Sequence, residues 1–431
     1  MNIETLEEFD PSVPTILPHE KVYSIQVGYK LFKLSGLSLS SDAPSYFTKY
    51  FNEPDNEHKV LFFDRNPTIF EKIYNHLQGY SIDVKDDYEF VHLWSDCFYF
   101  GLNRLQKILT EQDIFANIGG VSFKIPQSLF INTGNHPNYF SMNNERSLLD
   151  NFQIIEQKNM LRPPPQKPSS VPNRSPQLFA DLLELLRGNH LIIKNDQHRQ
   201  LLIKECRYYR FMELEQRILN HRIEISSKGC PQIIMNLNDL TRKGVSNLSK
   251  DRNIELPIRY TRPYITKEIT RNLVFQIDFE DDQKNSQVKL ILNKSTKLAL
   301  VKITNKFCNK IKQVFKDFLD GAIIDDTDKD NPSVSFFVGF SESKCTINGM
   351  EMKPNWVDTI LDIKEPEENP DLEPLSKKRK TTVESLTGDM VEILLTRSMW
   401  RLMMRGNLCR LHAVTIEGYS DYSKVPKTGF L

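Results

Sequence analysis

The stretch FFDRNPTIFEKIYNHLQGYSI, from Phe62 to Ile82, decides the fold of the first half of the chain. Its apolar start predicts a short strand. Asn66 can then cap a helix that begins at Pro67, because the missing N–H of proline costs nothing at the first helical position. Gly79 stands where a left-handed C-terminal cap is expected. The apolar residues between them follow one helical stripe, formed by Ile69, Phe70, Ile73, Tyr74 and Leu77.

Nearly the same arrangement returns 109 residues later as VPNRSPQLFADLLELLRGNHL, from Val171 to Leu191. Eleven residues are identical at this offset without a gap: Arg65, Pro67, Phe70, Leu77, Gly79, Lys85, Asp87, Leu93, Cys97, Tyr99 and Leu105 match Arg174, Pro176, Phe179, Leu186, Gly188, Lys194, Asp196, Leu202, Cys206, Tyr208 and Leu214. The apolar stripe keeps its phase as well. This match indicates an internal repeat, and a repeat governs the fold prediction.

The repeat extends upstream into two predicted β-hairpins, VYSIQVGYKLFKLS and DIFANIGGVSFKIP, each with alternating apolar residues around a glycine. At an offset of 91, Gly28, Phe32 and Lys33 match Gly119, Phe123 and Lys124. The motifs APSYF and HPNYF then match at an offset of 93, so the later offset of 109 requires an insertion of 16 residues in the second copy. We expect this insertion within residues 141–175, whose proline-rich second half is typical of an exposed loop.

The two copies resemble the BTB/POZ fold, specifically its potassium-channel tetramerisation-domain branch. That branch opens with a Val-Gly-Gly-x-x-Phe hairpin and enters its central helix through Asp-Arg-Asp/Asn-Pro. The residues that carry the resemblance are Gly28, Phe32, Asp64, Arg65, Pro67, Phe70, Gly79, Gly119, Gly120, Phe123, Arg174, Pro176, Phe179 and Gly188. Tyr29 replaces the second glycine of the first copy, and Asn173 and Ser175 replace acids in the second. The zinc-ligating histidine and cysteines of some channel domains have no counterpart here.

The resemblance implies an α+β protein with two tandem BTB-like modules, residues 21–112 and 113–220, after a disordered N-terminus of residues 1–20. It further implies a non-enzymatic protein that assembles with itself or with other proteins, and the two modules could pair within one chain. One alternative is a substrate adaptor of a cullin-type ubiquitin ligase. Another is a transcription regulator, although the chain carries no zinc-finger or helix-turn-helix signature.

The second half predicts a further α+β domain, formed by residues 221–362 and 386–431. Three strands precede the helical segment NKFCNKIKQVFKDFLDG, and Asn348-Gly349 is a strong hairpin signal. Residues 363–385 are acidic and proline-broken, which predicts a disordered linker. After it, the spacing of apolar residues in MVEILLTRSMWRLMMRGN predicts a helix, and LCRLHAVTI predicts a strand. This half bears a loose likeness to uncharacterised fungal tandem-BTB proteins.

Two short motifs suggest recognition by other proteins. Lys377, Lys378, Arg379 and Lys380 form a basic cluster in the predicted linker, as in a nuclear localisation signal. A solvated charge run is the alternative interpretation. Arg162, Pro165 and Pro168 fit the Arg-x-x-Pro-x-x-Pro spacing that Src-homology-3 domains bind, although such segments are more often plain loop.

Composition bounds the remaining function classes. The 431 residues carry no formal net charge, which gives no overall bias toward nucleic acid or anionic membrane, and nucleic-acid binding is unlikely on this basis. Six dispersed cysteines, an N-terminus unlike a signal peptide and the lack of a long apolar run predict a soluble protein of the nucleus or cytoplasm. No motif of a phosphate loop, hydrolase or metal site occurs, so no catalytic residue, cofactor or metal is expected.

Overall fold

The computed structural model describes residues 12–146, 169–247, 254–279, 286–328, 330–361 and 389–420. The chain divides into two compact units, Met1–Ile218 and Leu219–Leu431. Across the described ranges, no helix is both long and apolar enough to span a membrane.

The first unit begins with a small sheet covered by helices, in residues 21–112, which we call the first segment. Its elements are β1 (Val22–Val27), β2 (Lys30–Ser35), α1 (Gly36–Ser40), α2 (Tyr46–Phe51), β3 (Val60–Phe63), α3 (Pro67–Leu77), α4 (Asp87–Phe100) and α5 (Asn103–Gln112). Strands β1 and β2 form an antiparallel hairpin, and β3 pairs parallel to β1 on its other side. One face of this sheet packs on the helices and forms the core with them.

Residues 113–218, the second segment, repeat this order of elements, with a 3₁₀ turn (Gln127–Phe130) in the place of α1. They are β4 (Asp113–Ile118), β5 (Val121–Pro126), α6 (residues 139–146), β6 (Ser169–Val171), α7 (Pro176–Leu186), α8 (Asp196–Tyr209) and α9 (Met212–Ile218). Strand β4 pairs antiparallel with β5 and parallel with β6, as β1 does with β2 and β3. The two three-stranded sheets therefore have the same topology.

The central helices of the two segments start and end as the sequence predicts. Asn66 caps α3 by accepting the Thr68 N–H, and Ser175 caps α7 by accepting the Leu178 N–H. Both helices have proline at the N-terminus. Proline suits the first turn because its fixed φ is already helical. The buried side chains Phe70 and Phe179 then point each helix at its own sheet.

The apolar residues of YSIDV (residues 80–84) and HLIIK (residues 190–194), which follow these helices, suggest two short strands, but neither segment forms one. YSIDV carries no regular structure, and HLIIK contains a 3₁₀ turn at His190–Ile192. The carbonyl oxygens of Asp83 and Val84 accept hydrogen bonds from Lys72 and Lys124. In YSIDV, lysine side chains therefore satisfy backbone acceptors that strand pairing would otherwise satisfy.

The second unit is built on one large sheet. Its strands are β7 (His221–Ile225), β8 (Pro231–Asn236), β9 (Val245–Ser246), β10 (Glu255–Pro257), β11 (Arg259–Tyr260), β12 (Arg271–Asp278), β13 (Val288–Asn293), β14 (Leu298–Thr304), β15 (Ile323–Asp325), β16 (Ser333–Gly339), β17 (Lys344–Ile347), β18 (Met350–Glu351), β19 (Met390–Arg405) and β20 (Leu408–Tyr419). The helices are α10 (Asn305–Val314) and α11 (Trp356–Ile360). Strands β13, β14, β16, β20 and β19 pair in a closed circuit, because β19 pairs with both β20 and β13.

The predicted C-terminal helix is wrong, because its residues form the long strand β19. Gly406 and Asn407 make a two-residue turn into β20, which pairs with β19 from Arg405–Leu408 to Leu394–Tyr419. The buried residues alternate in two runs: Val391, Ile393 and Leu395, then Trp400, Leu402 and Met404. Irregularities in register between these runs shift the alternation, and the resulting spacing imitates the period of a helix.

Candidate functional site

An arginine, an acid and a tyrosine form the same cluster in both segments. Arg65 Nη1 lies 2.6 Å from Asp96 Oδ1, and its guanidinium carbon lies 4.1 Å from the centre of the Tyr99 ring. In the second segment, Arg174 Nη1 lies 2.9 Å from an oxygen of Glu205. Its guanidinium stacks on the Tyr208 ring, as Arg65 does on Tyr99, at 3.9 Å. The cluster ties the turn before each central helix to the helix that follows it.

The hairpin glycines allow a close approach of this turn. Gly28 and Gly119 have positive φ, and their N–H groups donate to the carbonyl oxygens of Phe63 and Val171. A Cβ atom at Gly119 would lie 2.6 Å from the carbonyl oxygen of Arg174, and one at Gly28 would lie 3.2 Å from that of Arg65. Glycine is needed here both for the backbone angle and for the space.

The other motif residues serve the core or the helix ends. Phe32 packs on Phe70 with ring centres 4.9 Å apart, and Phe123 packs on Phe179 at the same distance. Asp64 is exposed at the end of β3. The remaining motif residues are Pro67 and Pro176 at helix starts and Gly79, Gly120 and Gly188 at positions of positive φ. The motif therefore holds the fold, and the surface around it is formed by other residues.

The two segments contact each other through different surfaces. The outer face of the second sheet, opposite its own core, lies against helix α4 of the first segment. Phe115 on β4 packs against Phe90 of α4 with ring centres 5.1 Å apart, and only 6% of Phe115 is exposed. Beside it, Lys124 Nζ lies 2.7 Å from Asp83 Oδ1 and donates to the carbonyl oxygen of Val84.

The outer face of the first sheet has no such cover from the described residues of this unit. Four apolar side chains on it are half or more exposed: Val22 (58%), Leu31 (50%), Val60 (52%) and Phe62 (58%). Leu31 and Phe62 both pair with Gln26, and Val60 pairs with Ser24, so these three lie on one face. We call the four residues the open sheet face. An exposed apolar patch of this kind marks an interaction surface.

Reasoning from the sequence missed the open sheet face, although period-two alternation places its residues. In β1, β2 and β3, the positions that alternate with the buried ones include Val22, Leu31, Val60 and Phe62, beside polar residues such as Ser24 and Gln26. Apolar residues on both faces of a strand signal that both faces are covered in the assembled protein. That signal was available in VLFF and KLFKLS.

Comparison with known proteins matches most of the first segment and most of the second unit. A family model described as BTB/POZ domain matches residues 24–109, and one described as YLR108C C-terminal domain matches residues 251–428. The uncharacterized protein YDR132C of Saccharomyces cerevisiae is 38% identical over an alignment of 373 residues, and the match covers 73% of each chain. The BTB/POZ domain-containing protein YLR108C of the same yeast is 31% identical over an alignment of 397 residues, and the match covers 79% of this chain and 77% of that protein.

The chain belongs to this family of BTB/POZ domain-containing proteins. Its N-terminal BTB/POZ domain is followed by a distinct C-terminal domain. BTB/POZ domains mediate protein–protein interaction, which is the function the open sheet face suits.

Three predicted features lie outside the part of the chain that the structure describes. They are the polyproline motif with Arg162, Pro165 and Pro168, the basic cluster Lys377 to Lys380, and the whole predicted linker 363–385. Among the described residues, no three histidine, cysteine or acidic side chains converge as a metal site. Cys97 and Cys206, which match in the repeat, are buried, and burial raises the pKa of both thiols.

Proposed function

We propose that this BTB/POZ protein assembles with a second copy of itself, through two tandem BTB-like modules. Residues 113–218 would be the second module. Four correspondences support that assignment: equal sheet topology, equal order of helices, the arginine–acid–tyrosine cluster, and the hairpin glycine against the arginine carbonyl.

One observation carries the self-assembly: α4 covers the outer face of the second sheet, and the open sheet face on the first sheet is its uncovered counterpart. A contact between two different surfaces is heterologous, so it leaves one unmatched surface at each end. Here the unmatched surfaces are the open sheet face and helix α8, the counterpart of α4. Two chains joined by the same kind of contact would close a ring of four modules.

The second contact would differ from the first in its chemistry. Arg199 occupies the position in α8 that Phe90 occupies in α4, at the offset of 109. Leu201 on α8 is 46% exposed and supplies an apolar contact. We therefore expect the contact between chains to be weaker than the contact within a chain, and the dimer to dissociate on dilution.

Phe62→Lys tests the assembly. By light scattering coupled to size exclusion, the natural chain should have about twice the single-chain mass of 50.3 kDa at high concentration. The variant should dissociate at least about tenfold more readily, since an unpaired ammonium buried in an apolar contact costs several kcal/mol. Ile269→Lys, which changes an equally exposed residue of the second unit, is the matched control and should leave the mass unchanged.

A natural chain that stays at the single-chain mass at every concentration would contradict the proposal. So would a dimer that Phe62→Lys leaves intact while both variants keep the natural circular dichroism spectrum. The cullin-adaptor alternative predicts a separate result, because a cullin would then co-purify in stoichiometric yield with the chain from its own cells.

A further inference from the structure

A cavity of about 540 Å³ lies in the second unit. The turn between β7 and β8 and the strands β10, β11, β19 and β20 enclose it. Its size is within the range of sites that bind small organic molecules. One wall is apolar, formed by Pro231, Leu256, Pro257 and Met403.

Two arginines line the cavity without an acidic partner. Arg401 donates to the side-chain oxygen of Gln232 at 3.1 Å, and Gln232 is 5% exposed. The side chain of Arg259 forms no hydrogen bond or ion pair with any described residue. Strand pairing brings the groups together, since Arg259 pairs with Asn272 and Asn272 with Gln232 across three neighbouring strands.

The two carboxylates that line the cavity are already engaged. The carboxylate of Glu255 accepts hydrogen bonds from both Nε and Nη2 of Arg410, which makes a bidentate pair. Glu342 accepts from Ser227 Oγ at 3.0 Å and lies 3.6 Å from Lys228 Nζ. With these charges offset, Arg259 and Arg401 leave the cavity with uncompensated positive charge.

A buried imidazole completes the site. His412 pairs with Arg401 across β19 and β20, and its Nε2 atom is buried without a hydrogen bond. Glu255 Oε2 lies 3.9 Å away, beyond hydrogen-bonding distance. A Cβ atom at Gly339 would lie 2.8 Å from this Nε2, so the glycine leaves room for the ring. The ring lines the cavity while its Nε2 atom is shielded from solvent, so the imidazole is close enough to sense a bound charge.

The charge around His412 favours an anion. Burial lowers the pKa of His412, and the charges of Arg410, Arg401 and Lys228 lower it further, against the opposite effect of Glu255. A bound anion would offset these cations and raise the pKa of the imidazole again. This coupling gives a spectroscopic signal for occupancy.

We propose that the cavity binds a small organic anion, with Arg259 and Arg401 contacting its oxyanion and the apolar wall contacting its body. The oxyanion is a carboxylate or a phosphate monoester, since both have the oxygen geometry that a guanidinium binds in bidentate fashion. His412, which pairs with Arg401 across the sheet, senses the charge of the bound anion.

Titration of the full chain with phenyl phosphate, benzoate and neutral benzyl alcohol tests the site by isothermal calorimetry. We expect at least one of the two anions to bind to the chain. The anion that binds more tightly identifies the oxyanion as a phosphate or a carboxylate. Arg401→Gln and Arg259→Gln should each weaken binding about tenfold or more, the usual worth of a charge-assisted hydrogen bond. Arg397→Gln is the matched control, because Arg397 lies on the same strand but pairs with Asp278 outside the cavity.

Three results would overturn the site: no heat of binding with either anion, equal binding of benzyl alcohol, or equal weakening by Arg397→Gln. The NMR signal of the His412 ring provides a second measurement. Its apparent pKa should rise when the anion is bound, and a titration curve unchanged by saturating ligand would place the anion elsewhere. Unchanged melting temperatures of the variants exclude unfolding as the cause of weaker binding.

Discussion

At the scale of single residues, Asp96 is a buried carboxylate whose partner is Arg65. It is 5% exposed, and burial raises the pKa of this carboxyl, while the charge and hydrogen bond of Arg65 oppose the rise. A buried acid with one charged partner is sensitive to the loss of that partner, because the carboxylate is then unpaired in a site that water barely reaches.

Arg65→Met should therefore destabilise the chain by about 3–5 kcal/mol at pH 7. Asp96→Asn should destabilise it less, because it leaves no unpaired carboxylate in the buried site. The loss in Arg65→Met should shrink in acid, because the raised pKa of Asp96 lets the carboxyl take up a proton and become neutral. Urea unfolding at pH 7 and pH 5 measures both effects.

Arg174→Met is the natural comparison in the second segment, where Glu205 is the partner. The double variant Arg65→Met/Asp96→Asn should recover part of the stability lost in Arg65→Met. If the double variant is as unstable as the two single losses added together, the pair is not coupled and this account is wrong.

Identical residues at a fixed offset reveal only part of the arginine–acid–tyrosine cluster. Arg65 and Tyr99 were found because they recur unchanged as Arg174 and Tyr208. Asp96 and its counterpart Glu205 were missed, since the residue type changes while the charge stays. Chemical equivalence at a fixed offset would have found them.

At the scale of elements, helix α5 shows how a distant residue can complete a helix end. Leu102 at its N-cap position has no side-chain acceptor. The carboxylate of Asp42 takes that place and accepts the N–H groups of Arg104 at 2.8 Å and Leu105 at 2.9 Å. His76 Nε2 lies 3.0 Å from the same carboxylate. In the second segment, Asn135 accepts the Leu214 N–H at 3.1 Å in the same way.

Asp42→Ala should lower the free energy of unfolding by about 1–2 kcal/mol at pH 7, the usual worth of a helix cap. Burial alone would raise the pKa of Asp42, but the hydrogen bonds from His76, Arg104 and Leu105 outweigh it and lower the pKa below 3.8. Because the pKa of Asp42 is lower in the folded chain than in the unfolded chain, its carboxylate contributes its full stabilisation at pH values above the unfolded-state pKa. That contribution is lost as the pH falls through the folded-state pKa.

The difference in stability between the natural chain and Asp42→Ala should accordingly be constant from pH 7 to about pH 5 and shrink below 3.8. Denaturant titrations across this range measure it. Asp55→Ala, an exposed acid of the same segment, is the control and should show no such dependence. A difference that grows on acidification would contradict the assigned direction of the shift.

At the scale of the whole molecule, charge is balanced, with 56 basic and 56 acidic residues, so any effect of charge on cellular location must come from a local cluster. We propose that Lys377, Lys378, Arg379 and Lys380 direct nuclear import, because four adjacent cations match the acidic pockets of an import receptor. They lie in the stretch of chain between α11 and β19.

Substituting these four residues with alanine should shift a fluorescently tagged chain from the nucleus to the cytoplasm. The control replaces Lys306, Lys310, Lys312 and Lys316, four lysines in and just after α10, with glutamine. It removes the same charge and should not alter the distribution. An unchanged distribution of the alanine variant would refute the localisation proposal.

The repeat, the hairpins and the capped central helices of the first unit follow from the sequence alone, because these features depend on local spacing and on the backbone angles of glycine and proline. Three other features depend on tertiary contacts. β19 is a strand, since pairing with β20, β12 and β13 outweighs a local apolar period. Asp42 lies at a helix end 62 residues away. Among the described residues of the first unit, α4 covers the outer face of the second sheet, and no element covers the outer face of the first. Each depends on which distant surfaces meet, and local sequence spacing does not record that.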